Sequence, residues 1–181
     1  MVSFDFNQLV KEVADLYRSQ GLAADTTHSI RVGLTLDTDI GLISADRSRV
    51  RQILNNLLTN AFEAVDGRES ASVDIETHLV QIDERPMVEL IVTDNGAGFP
   101  PGLLSQVFDP YVTSKAKGTG LGLAIVKKIV EEHGGRLDAD NITSGGARVR
   151  IWLPCADHGR SKEGLLTVRD ALTAERRREQ I

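Results

Sequence analysis

"DRSRVRQILNNLLTNAFEAVDG" runs from Asp46 to Gly67 and decides how the rest of the chain is read. Val50, Ile53, Leu54, Leu57, Leu58, Ala61, Phe62 and Val65 recur at i, i+3, i+4, i+7 without a break, so this is an amphipathic helix. Asp46 is a good N-cap and Gly67 a good stop. Three asparagines, Asn55, Asn56 and Asn60, lie inside it, although asparagine is a mediocre helix former. On a wheel of about 100° per residue, Gln52, Asn56, Asn60 and Glu63 share one stripe away from the core, and Asn55 lies apart. The stripe is either a solvated face or a set of carboxamide oxygens for a hard cation and its phosphate-bound waters.

Working outward, Leu9, Val13, Leu16 and Tyr17 mark an earlier helix that Gly21 is expected to stop. Ile30, Val32, Leu34 and Leu36 alternate as one face of a strand, and Gly41 to Ser44 fits a second. After the asparagine helix come strands at about 72–81 and 87–93, turning at Asp83–Pro86. The stretch from Asp94 to Gly120 is rich in Gly and Pro, with a helical candidate only at Leu103–Phe108, and a long irregular segment of this kind reads as a lid. A helix over Leu121–Glu132 is closed by Gly134-Gly135, and a hairpin over 136–153 turns at Ser144-Gly145-Gly146. Pro154 ends the sheet. A charged tail follows, read as helical around Leu165–Arg178. Adjacent strand pairs with short turns make the class α+β, a mixed and mostly antiparallel sheet of about five strands covered on one face by three helices.

Composition narrows the function. At 181 residues one domain is the default. The net charge of −5 gives no nucleic-acid footprint. The single cysteine, Cys155, excludes an internal disulfide and fits a reducing cytosol. No apolar run is long enough to span a membrane, and no signal-peptide pattern opens the chain, which leaves a soluble chain whose parent can still be membrane-anchored.

Two glycine loops complete the chemistry. In "VTDNGAGF" (Val92–Phe99) Asp94 ends a strand, and Gly96 and Gly98 follow. A carboxylate on the floor of a glycine-walled pocket suits an exocyclic amine such as that of adenine; a plain turn is the rival reading. In "SKAKGTGLGLAIVKK" (Ser114–Lys128) Gly118, Gly120 and Gly122 alternate behind Lys115 and Lys117. The spacing is neither that of a Walker loop nor that of a dinucleotide-binding fingerprint. A loop whose backbone amides meet a polyphosphate at a helix N-terminus remains, beside a flexible surface loop with solvated lysines.

Taken in order, "ILNNLLTNAFEA", "DNGAGF", "FDPYVTSK" and "KGTGLGLAIVKKIVEEHGG" resemble the asparagine, first glycine, phenylalanine and second glycine boxes of the GHKL ATPases, with wording most similar to bacterial sensor histidine kinases of the nitrogen-regulation type. The resemblance covers about Phe4 to Pro154. It implies the Bergerat α/β sandwich, with a helix at 1–21, an ATP-binding domain at 22–154 and a tail at 155–181. It implies ATP and Mg²⁺ as cofactors, with Asn60 first and Asn56 second as metal ligands. Asp94 would bind the adenine amine, with Gly96 and Gly98 shaping its pocket. Phe108 and Tyr111 would anchor the lid, Lys115 would reach the phosphates, and Gly118, Gly120 and Gly122 would wrap them. Glu63, Thr113, Thr119 and Leu121 are counted with the nucleotide site, and Asn56, Asn60 and Lys115 form the expected catalytic set.

The family transfers the γ-phosphate to a histidine on a separate dimerisation domain. None of His28, His78, His133 and His158 stands in such an acceptor motif, and His133 reads as a helix C-terminus where a cation suits the dipole. The acceptor is therefore expected outside this chain, and the isolated chain is not expected to phosphorylate itself. The expected partners are that dimerisation domain and a response regulator, with no nucleic acid and no direct membrane contact. The domain alone is expected to be monomeric, as the cytoplasmic part of a homodimeric, membrane-anchored kinase. An anti-sigma-type serine kinase and a nucleotide-binding module without transfer are the alternatives. Hydrolysing relatives carry a glutamate one turn before the metal asparagine; Asn56 stands there, which favours transfer.

Overall fold

The computed structural model describes residues 1–23, 29–113, 118–155 and 166–167. Strand β1 (Val2–Asp5) leads into helix α1 (Phe6–Ala23), followed by β2 (Arg31–Leu36), β3 (Leu42–Ala45), helix α2 (Arg47–Val65), β4 (Ser72–Ile82), β5 (Arg85–Asp94), a 3-10 turn (Leu104–Gln106), helix α3 (Gly122–Glu132), β6 (Arg136–Asn141), β7 (Ala147–Pro154) and β8 (Leu166–Thr167). The main sheet has the order β2-β4-β5-β7-β6, antiparallel except where β2 meets β4. The class is α+β, as the alternation and periodicity require.

Strand alternation places the core. Val73 and Ile75 on β4, Val88, Leu90 and Val92 on β5, and Val149 and Ile151 on β7 face the three helices. The helices answer with Leu9, Val10 and Val13 of α1, Ile53, Leu54 and Leu58 of α2, and Val126 and Ile129 of α3, all fully buried. At about 25 cal/mol per Å² of apolar surface, burial on this scale is the main force holding the layers together.

The β4–β5 turn is tighter than the sequence implies. Asp83 and Glu84 both adopt positive φ (51° and 62°), and Pro86 already pairs within the ladder. Several other expectations change. The chain does not open in a helix: residues 2–5 pair antiparallel with β3, where buried Phe4 meets Ile43. Helix α1 does not stop at Gly21 but continues to Ala23. A glycine costs about 1 kcal/mol inside a helix, and the buried stripe from Phe6 to Ala14 carries the helix past it. The candidate helix at Leu103–Phe108 is only the 3-10 turn.

In the tail, Leu166–Thr167 is a strand rather than part of a helix. β2 leaves the edge of β4 at Thr77, and β8 takes up that edge in parallel at Val80 and Gln81, where open ladder groups invite a partner. The rest of the expected tail helix lies outside the described residues. Among the described residues no helix is long and apolar enough to cross a membrane.

Candidate functional site

Helices α2 and α3 run antiparallel, and two contacts fix their register. At one end His133, the C-cap of α3, accepts the Asp46 N–H at Nε2 (3.2 Å) and donates from Nδ1 to the Ile129 carbonyl (2.8 Å). His133 thus stands at the C-terminus of α3, as expected. At the same end the Asp46 carboxylate caps α2 by accepting from Ser48 N–H (2.9 Å) and Arg49 N–H (3.1 Å), and these bonds hold it below the usual carboxylate range. At the other end Gly122 opens α3 against the asparagines: a Cβ there would sit 3.6 Å from Asn60 Nδ2 and 3.9 Å from Asn56 Oδ1.

A cavity of about 770 Å³ opens between α2, α3 and the ends of β5 and β7. That volume is in the range of small-molecule and cofactor sites. One end is floored by Asp94, 8% exposed. Its Oδ1 accepts the N–H of Gly96 (2.8 Å) and of Ala147 (3.4 Å). Gly96 lies buried under this loop, where a Cβ would meet the Ala64 carbonyl oxygen at 2.5 Å. Asn95 ties the loop to the start of β4, accepting from Ser72 N–H (2.9 Å) and donating to the Ser70 carbonyl (2.6 Å).

The other end is less complete. Among the described residues, Asn56 Nδ2 is buried without a hydrogen-bond partner. Helix α3 has Leu121 as its N-cap and, among the described residues, no side-chain cap, so its first-turn N–H groups have no acceptor within the helix. An unpartnered buried amide beside an uncapped helix N-terminus, with a glycine leaving the space between them open, suits a polyphosphate. Asn56 and Asn60 can present carboxamide oxygens to a hard cation whose remaining ligands are phosphates and water. Among the described residues no group of three or more His, Cys, Asp or Glu could hold a metal, so such an ion would be held chiefly by the asparagine amides and the nucleotide itself.

Of the residues singled out in the sequence, Asn56, Asn60, Glu63, Asp94, Gly98, Thr113, Gly118, Thr119, Gly120, Leu121 and Gly122 line this one cavity. Gly96, Phe108 and Tyr111 do not. Phe108 is half-buried against the core, whereas Tyr111 is 78% exposed. Its backbone does the anchoring: Tyr111 N–H donates to the Gly120 carbonyl (2.9 Å), and both residues adopt φ of 67°. Lys115, with Ser114 and Lys117, lies outside the described residues. Gln52 and Asn55 are exposed and off the cavity, the Asn55 carbonyl accepting from Tyr17 Oη (3.1 Å). The sequence reading missed the apolar wall of Ala97, Phe99, Leu103, Val107, Ile125 and Val149. Its residue types are those of any core, so the sequence holds no signal that separates them.

Comparison with known proteins agrees with this geometry. Residues 45–157 match the family model described as histidine kinase-, DNA gyrase B- and HSP90-like ATPase. A putative NtrY-like sensor histidine kinase of Rickettsia conorii is 47% identical over 107 residues, 59% of this chain and 17% of that protein. The sensor protein FixL of Bradyrhizobium diazoefficiens is 35% identical over 151 residues, 83% of this chain and 28% of its own length. The chain thus spans well under a third of either relative. Among solved structures, the nucleotide-free catalytic domain of histidine kinase ThkA superposes with a TM-score of 0.71 at 30% identity, covering 85% of this chain and 95% of that one. ThkA in complex with the response regulator protein TrrA gives 0.67 at 26% identity, covering 88% and 43%.

Proposed function

The chain belongs to the histidine kinase-, DNA gyrase B- and HSP90-like ATPases as a histidine kinase catalytic domain, and from that premise we propose that its cavity binds Mg-ATP and presents the γ-phosphate to a histidine on a separate dimerisation domain. One observation carries the reading: a single cavity has a buried carboxylate at one end and, at the other, two amides facing an uncapped helix N-terminus.

In this reading Asp94 accepts the exocyclic amine of adenine. The apolar wall around Phe99 and Val107 excludes water from the ring. The first-turn amides of α3 and Asn56 Nδ2 bind phosphate oxygens, and Lys115 adds charge from the loop. Asn60, with Asn56, would hold Mg²⁺, which neutralises phosphate charge when bound. Phosphoryl transfer demands mainly positioning and neutralisation, and these residues supply both. The attacking imidazole comes from the partner domain. No glutamate stands one turn before Asn60 to activate water, and Asn56 there favours transfer over hydrolysis.

By the same reading the parent is a homodimeric, membrane-anchored sensor kinase with a cognate response regulator, and this segment lies in the cytoplasm. A leading segment at 1–21, an ATP-binding domain at 22–154 and a tail at 155–181 remain the proposed division of the chain, with α1 crossing the first boundary. The test is transfer in trans: with labelled ATP the chain alone acquires no acid-labile phosphate, and a dimerisation domain carrying the acceptor histidine, supplied separately, becomes labelled. Strong self-labelling, or steady ATP hydrolysis with no transfer to that domain, would refute the proposal.

A further inference from the structure

We infer that Asn141, at the end of β6, is a positioning residue for nucleotide binding: its side chain holds the Asp94–Phe99 loop in the shape that receives the base. The inference rests on the nucleotide reading above and adds a residue to it that does not line the cavity.

Asn141 Oδ1 accepts the Phe99 N–H (2.7 Å), and Asn141 Nδ2 donates to the Phe99 carbonyl (2.8 Å). Two residues facing each other in an antiparallel ladder exchange the same pair of bonds. Here a side chain replaces one of the strands. Only a carboxamide offers an acceptor and a donor side by side in one plane; a carboxylate can only accept, and a hydroxyl has a single oxygen for both bonds.

The neighbouring glycines show how closely the parts are pressed together. Gly98 has φ of 75°, and a Cβ there would stand 2.8 Å from Asn141 Oδ1 and 3.0 Å from the Gly146 carbonyl oxygen. A Cβ on Gly146 would collide with the Asp94 carbonyl oxygen. Ile142 N–H donates to the Gly146 carbonyl (3.0 Å), closing the hairpin between these two contacts. The β6–β7 hairpin therefore grips the loop at both ends, with Gly146 at Asp94 and Asn141 at Phe99. Phe99 is also where the clamped loop gives way to the long segment that runs to Gly120. Asn141 fixes the point from which that segment departs and the wall that Gly98 and Phe99 present to the cavity.

Without the clamp the base end must be ordered by the ligand, and that cost falls on every ligand that carries the base. The experiment compares the full chain with Asn141→Ala and Asn141→Asp, titrated calorimetrically with adenosine and with ATP well below each variant's unfolding midpoint. Asn141→Ala is expected to weaken both ligands about tenfold, the size of losing two such bonds. Asn141→Asp keeps the bond from Phe99 N–H and should fall in between. In the trans assay the loss should appear in KM, with kcat at saturating ATP unchanged. Unchanged affinities with only a lowered unfolding midpoint would reduce Asn141 to a fold-stabilising residue and overturn the inference. A wild-type chain that binds neither ligand overturns the nucleotide reading and this inference together. A wild type that binds ATP while the variants bind it equally well overturns the inference alone.

Discussion

The two ends of the cavity are built on opposite plans. At the Asp94 end the main chain and side chains satisfy one another: Gly96 and Ala147 donate to the carboxylate, Asn95 ties the loop to β4, and Asn141 ties it to β6. At the Asn56–Asn60 end, among the described residues, a buried amide lacks a partner and a helix starts uncapped. Buried polar groups left unpaired are costly, so a fold tolerates them where a ligand completes them. The base end is prepared in advance, and the phosphate end is finished by what binds there. Substitutions at the first end should therefore weaken every adenine ligand, and those at the second only ligands with phosphates.

The largest effect is expected at Asp94. Asp94→Asn removes the charge and offers an amide group to donors, so adenosine and ATP should both bind roughly 100-fold more weakly, measured by calorimetry, in a chain that keeps its far-ultraviolet dichroism. Near-normal affinity would remove Asp94 from the base site. Next comes Asn60→Ala: Mg-ATP should weaken about tenfold and lose most of its dependence on Mg²⁺, with adenosine unchanged. A smaller, equally one-sided effect belongs to Gly120→Val. A Cβ there would lie 2.5 Å from the Tyr111 carbonyl carbon, at a φ of 67° that a β-branched residue adopts only at a cost of roughly 1–3 kcal/mol. The Tyr111–Gly120 clasp should open, so that triphosphate binding falls several-fold and adenosine binding is spared. An equal loss for both ligands would erase the distinction between the two ends.

The smallest effect lies off the cavity, on the sheet face turned from the helices. His78 Nε2 stands 3.5 Å from Glu76, whose carboxylate raises the imidazole against the opposing effect of burial, with Glu89 and Asp37 adding to the rise; Glu76 is lowered in turn by His78. A raised histidine stabilises the fold fully below its ordinary value of about 6.5 and loses that contribution as pH rises through the raised one. The lowered carboxylate acts in the opposite direction, its share fading as pH falls through its folded value. The unfolding midpoint should therefore drop slightly between pH 6 and about pH 8, and His78→Gln should flatten that slope without changing nucleotide affinity. A slope that survives His78→Gln would assign it to other groups.

Much of this was legible in the sequence because it is local. The i, i+3, i+4 pattern fixes the buried face of α2, Asp46 caps it as read, and the polar stripe brings Asn56, Asn60 and Glu63 to the cavity. Phe62 is the exception on the apolar face: it is only half-buried and tilts against Tyr17 at 5.1 Å. What stayed hidden depends on distant partners. Strand β1 is four residues long and exists through β3, some forty residues on. Tyr111 is expected as an anchor through the family resemblance, yet among the described residues it is its backbone that bonds to Gly120, the side chain being exposed. Asn141 sits next to a glycine turn and looks like turn chemistry until Phe99, 42 residues away, is seen against it.

The most direct test of the two-ended site is to titrate the wild-type chain with adenosine and with ATP, each with and without Mg²⁺. The account predicts that adenosine binds with an affinity indifferent to Mg²⁺, and that ATP binds more tightly and depends on it. Failure of adenosine to bind, or the same Mg²⁺ dependence for both ligands, would contradict it.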